Sequence, residues 1–222
     1  DPVLEKEKQV VKNEKRQSVD NNPYGHTSYV IDKAMYPADH PYNWQVIGSL
    51  EDLDNAQLKD VKDFFRRWYV PNNVTLTVAG DFDTVQARKW VEKYFGEIKR
   101  GEETPPQTKR PGVVKETVKL YHEDNFARLP ELTYAWPTVE QYNADEPALD
   151  ILANYLTRGK NSPFYKVIVE EKKLAPNVGM FNGSSELAGD IQLSVRAFAD
   201  KDLDDVAKAI DEAFARFERD GI

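Results

Sequence analysis

The chain contains no cysteine, which excludes both a disulfide framework and a thiolate zinc site. Histidine is nearly as scarce. Only His26, His40 and His122 occur, and none sits in H-x-x-E-H or any other two-histidine metal spacing. No apolar run approaches 18 residues, so the sequence holds no membrane-spanning helix. Basic blocks are missing as well. Thirty-eight acidic residues against 30 basic ones leave a net charge of −8, and nucleic-acid binding is disfavoured. No glycines follow Gly80 at phosphate-loop spacing.

What remains is enough for a packed interior: 40% of the 222 residues are hydrophobic and 11% aromatic. That length predicts one or two domains. Near the start, Glu5 to Gln17 reads as a highly charged helix. Glu7 and Glu14 share one stripe of it, about 10 Å apart along the axis. Such a stripe can offer one carboxylate to a metal and another to the groups around it. Spacing alone leaves the alternative of a plain solvated face.

Residues 22–47 are punctuated by proline and glycine and predict a long loop pinned by Tyr36, Tyr42 and Trp44. Leu58, Val61, Phe64, Phe65 and Trp68 form a helical stripe ended by Pro71. Alternation over Val74–Ala79 predicts a half-buried strand, and Asp83 a cap for a second helix. Residues 100–112 carry three prolines and two glycines, a linker composition. Beyond it, residues 114–121, 132–136 and 191–197 read as strands. Helices follow Asp145, Ser162 and Asp200, and 179–189 is turn-rich. Val74–Val78 and Ile191–Val195 are each followed five residues later by an aspartate that opens a helix. This faint repeat fits two tandem α+β units.

The wording E-x-x-V-V-x-N-E-x-R-Q, then Asn21-Asn22-Pro23-Tyr24-Gly25, resembles the inverzincin metallopeptidases, the family of pitrilysin, insulysin and the mitochondrial processing peptidase. Pro71–Asp81 strengthens the likeness. The resemblance implies an α+β fold of tandem homologous two-layer α/β domains of the pitrilysin-like type, both incomplete. Residues 1–103 would be the C-terminal part of the first, zinc-bearing domain, 104–112 a linker, and 113–222 the N-terminal part of the second. Glu14 would be a Zn2+ ligand and Glu7 the carboxylate that orients a ligating imidazole. The H-x-x-E-H helix of the family is lacking, so the resemblance implies an internal piece of the catalytic half of a zinc metalloendopeptidase. It would cleave peptide substrates in an enclosed chamber, be inactive alone, and pair with the remainder of the same protease or a homologous partner subunit. A non-catalytic scaffold subunit of the same family is the alternative. The phrasing is closest to bacterial members, which implies a periplasmic or envelope-associated location. The three histidines are expected to be structural, Tyr134 and Trp136 to be core, and Arg158, Lys160 and Arg196 to be solvated.

Overall fold

The computed structural model describes residues 1–221. The chain divides into two compact units, Asp1–Asn13 with Gly48–Gln107, and Glu14–Ile47 with Thr108 onward. Helix α1, Pro2–Lys15, carries the division between Asn13 and Glu14.

The first unit is helical. Ser49 caps α3 (Leu50–Asn55) by accepting from the Asp52 N–H at 3.0 Å. A reciprocal box closes the start of α4 (Leu58–Trp68), where the Asp60 carboxylate accepts from the Gln57 N–H at 2.9 Å. Asp83 caps α5 (Thr84–Phe95) as its position predicts, accepting from Gln86 at 2.7 Å. Lys8 and Lys12 of α1 are buried despite their charge, because Asp54 satisfies both. Lys8 Nζ donates to its carbonyl at 3.1 Å, and Lys12 pairs with its carboxylate.

Two expectations fail in this unit for one reason. Val74–Ala79 forms no ladder among the described residues, although Val74 is extended at φ −129° and ψ 135°. A strand is defined by its neighbour, and none pairs with this segment. Val74, Leu76 and Val78 are therefore about half exposed. The α4 stripe shares this fate: with no sheet over it, Val61, Phe64 and Phe65 are exposed rather than buried.

The second unit is built on a three-stranded antiparallel sheet in the order β1-β3-β2, with β1 Glu131–Thr138, β2 Gly179–Ser184 and β3 Gly189–Arg196. β3 is central, and its side chains alternate between the core and a half-buried polar face. Ile191 is buried on the same side, and Leu193 and Val195 join the core. There they meet Phe164, Val167 and Ile168 around the π-helical segment Tyr165–Glu171, Leu156 of α6 (Glu146–Thr157), and Val206, Ala209, Ile210 and Ala213 of α7 (Leu203–Asp220). Tyr134 and Trp136 of β1 stack at 5.7 Å against the same cluster, as expected. β1 continues through Pro137 because it is an edge strand and can spare one N–H.

Several boundaries differ from expectation. Residues 179–184, read as part of a turn-rich stretch, are β2, since the hairpin partner β3 supplies its ladder. Residues 114–121 form no strand. The cap of α7 is Asp202 rather than Asp200, accepting from Asp204 at 2.8 Å. Asp145 precedes α6 without capping it. The expected loop 22–47 contains α2, Thr27–Met35. Met35 and Tyr36 pack with Ala188 and Ala135 on the sheet face opposite the main core, and burial stabilises a helix that local punctuation obscured.

Leu193 is fully buried at the centre of the sheet. Leu193→Ala is expected to cost about 2–5 kcal/mol, the usual cost of a cavity at such a site. Chemical denaturation of both chains measures it, and a cost under about 0.5 kcal/mol would remove β3 from the core.

Candidate functional site

Glu14 lies in the last turn of α1, and immediately after it the helix widens. Arg16–Asp20 is π-helical, with the Asn21 N–H reaching back five residues to the Arg16 carbonyl at 2.7 Å. Such widened turns occur mostly as single insertions and often mark functional positions. The Glu14 side chain is exposed, and its carboxylate makes no hydrogen bond or ion pair among the described residues. Glu7 is likewise exposed, with no ion pair among the described residues.

The segment following Glu14 is held firmly. Tyr24 adopts the left-handed region at φ 62°, unusual for a bulky residue. Three contacts hold it there. Its N–H donates to Asp124 at 2.6 Å, its hydroxyl donates to the Leu129 carbonyl at 2.9 Å, and the Arg196 guanidinium sits 3.7 Å over its ring. Arg196 also pairs with Glu131 at 2.6 Å, so it is engaged rather than freely solvated. Gly25 must be glycine, because a Cβ there would strike the Val19 carbonyl. The backbone N–H groups of Phe126, Tyr24 and Ala127 hold the Asp124 carboxyl below its usual range.

The three histidines occupy different settings. His40 is buried. Its Nδ1 accepts from the Tyr42 N–H at 3.0 Å, Nε2 donates to the Arg110 carbonyl at 2.9 Å, and its ring stacks on Tyr36 at 4.6 Å. Both nitrogens are used, which leaves none for a metal. His26 lies 5.2 Å from His122 between ring centres and 3.7 Å from Asp20. Among the described residues no group of three His, Asp or Glu is arranged to hold a metal ion.

A second feature was not singled out from the sequence. Where α2 crosses the polar face of the sheet, an open recess of about 350 Å³ is lined by Asp32, Tyr36, Tyr42, Trp44, Ser185 and Asp190 among others. Burial, and then the like charge of Asp190, push the Asp32 carboxyl up to about 6. Burial raises Asp190 as well, against a hydrogen bond donated by Gln192 at 2.6 Å. The Tyr36 phenol is raised by burial and by both carboxylates. Asp32 stands on the inner face of a helix that was read as loop, so its position was hidden.

A family model described as "Peptidase M16 inactive domain" matches residues 55–222, three quarters of the chain, and the chain belongs to the M16 peptidase family. This is the pitrilysin-like family of the resemblance. The zinc protease PqqE of Helicobacter pylori is 32% identical over 173 residues, covering 76% of this chain and 38% of that protein. Among solved structures, a protease from Helicobacter pylori superposes with a TM-score of 0.82 at 24% identity, over 99% of this chain and 53% of that one. The periplasmic protease PqqL from Escherichia coli superposes at 0.71 and 17% identity, over 99% and 24%. The chain thus spans about half or less of the length of these relatives. The α+β fold is that of M16 peptidase domains, as expected. Among the described residues no helix is long and apolar enough to cross a membrane.

The raised Asp32 gives a signed expectation. An acid lifted from 3.8 to about 6 on folding binds its proton more tightly in the folded state, so stability falls as pH rises through that window and stays lower above it. Asp32→Asn should raise the thermal midpoint at pH 8 and leave it nearly unchanged at pH 4. Equal shifts at both pH values in thermal unfolding would contradict this.

Proposed function

We propose that this chain is part of the catalytic half of a zinc metalloendopeptidase, with Glu14 as one ligand of a zinc ion whose remaining ligands come from outside this sequence. The observation that carries the reading is an exposed carboxylate with no hydrogen-bond or ion-pair partner among the described residues. It stands at a π-helical widening and is followed by a turn clamped through Tyr24. A carboxylate kept free beside a rigid anchor is available to a metal, and a hard oxygen donor suits zinc. Glu7, on the same helix, would orient an imidazole ligand from the missing part. Bound zinc would supply Lewis-acid activation of water. The isolated chain, lacking the histidine helix, would be inactive.

Residues 1–103 and 113–222, joined by 104–112, are proposed to derive from two homologous domains. The exposed apolar surface of the first unit supports a packing partner. Phe64, Phe65, Leu76 and Trp90 are more exposed than a finished domain of this kind would leave them. The remainder of the same protease is the partner that fits, and a homologous subunit would form the other wall of an enclosed chamber. Peptides would be the substrates. A periplasmic or envelope location is proposed from the PqqL likeness.

A second reading rests on one finding. The matching family model is described as the inactive domain and lies wholly beyond Glu14. A subunit that kept the fold without zinc would serve as scaffold.

Metal analysis and peptide cleavage by the longer polypeptide decide between them. Glu14→Gln should lower zinc content and cleavage by at least about tenfold, and Glu7→Gln should weaken zinc binding by about 10–100-fold. Equal zinc content in the parent and the Glu14→Gln variant would remove Glu14 from the site. No zinc in the parent itself would favour the scaffold.

A further inference from the structure

We infer that the recess between α2 and the β2–β3 hairpin binds an organic cation, an alkylammonium or guanidinium head of the kind carried by a lysine or arginine side chain of a peptide. Its lining is aromatic and anionic. Tyr36, Tyr42 and Trp44 line it together with the carboxylates of Asp32 and Asp190, and no lysine or arginine lines it. Nearby cations are committed elsewhere. Lys33 donates to Asn43 at 2.7 Å, and Arg110 pairs with Asp39 at 2.6 Å.

Two half-buried acids lining one recess are costly, since burial disfavours both charges and the charge of Asp190 raises the proton affinity of Asp32. A ligand cation would relieve that repulsion, and aromatic faces attract the same ligand through their quadrupoles. Trp44 is half exposed, whereas Tyr36 is buried. The Tyr42 hydroxyl accepts from the Leu187 N–H at 3.1 Å, which fixes that wall. Concave sites with a few convergent polar groups of perturbed acidity are the usual form of a ligand pocket. A guanidinium could bridge the two carboxylates, and an ammonium could sit between them with its alkyl stem along the rings.

The inference is independent of zinc, because Glu14 is not among the residues that line the recess. It also separates a binding role from a structural one. A structural aspartate should destabilise the fold when neutralised, but Asp32→Asn should stabilise the chain at pH 8 while losing the ligand.

The experiment is a titration of the 15N-labelled chain with three capped tripeptides, Ala-Lys-Ala, Ala-Arg-Ala and Ala-Gln-Ala, following the Trp44 indole N–H and the Gly183 amide. The lysine and arginine peptides should give saturable shifts at both groups, and the glutamine peptide none. Asp32→Asn and Asp190→Asn should each weaken binding by about tenfold or more, and Glu14→Gln should leave it unchanged. Equal response to the glutamine peptide would overturn the inference. So would undiminished binding by both aspartate variants, or shifts confined to other residues.

Discussion

Burial of alternate side chains along β3 is the constraint on which the second unit depends. Leu193 and Val195 share the core with α7 and the π-helical segment and Ile191 is buried on the same side, while Asp190, Gln192 and Ser194 face the other way. A one-residue slip would exchange those sets and place a carboxylate in the core. Because the register is fixed, Asp190 must emerge on the polar face, and α2 must close over it. The tight packing of Met35, Tyr36 and Ala188 and the acidic recess beside them follow from one strand's periodicity.

The first unit shows what happens when a comparable pattern lacks a partner. Val74, Leu76 and Val78 alternate as faithfully as β3 does, yet they form no ladder and are about half exposed. Local sequence sets the tendency, and pairing realises it. The same holds for the α4 stripe. The chain spans about half the length of the solved Helicobacter pylori protease and less of the other two relatives.

Legibility in the sequence followed this division between local and non-local causes. Helices with a clear stripe and a capping side chain, such as α4 and α5, were readable because both signals act within one turn. The alternation of β3 was readable for the same reason. α2 was not, because flanking Pro23, Gly25, Pro37 and Pro41 suggested a loop and only contact with Ala135 and Ala188 reveals its buried side. β2 was missed because glycines at 179 and 183 and the polar Asn182 give no alternation, and its ladder comes wholly from β3. At the candidate site, Glu7 and Glu14 were visible as a stripe, whereas the Asp32–Asp190 recess joins residues 158 positions apart (190 − 32) and no spacing announces it.

The centre of the account is the proposal that the exposed Glu14 carboxylate binds a zinc ion. Anomalous diffraction at the zinc edge from crystals of the longer polypeptide tests it most directly. The account requires a zinc peak about 2.0–2.2 Å from an oxygen of Glu14. A zinc ion bound elsewhere, with Glu14 still facing solvent, would contradict it.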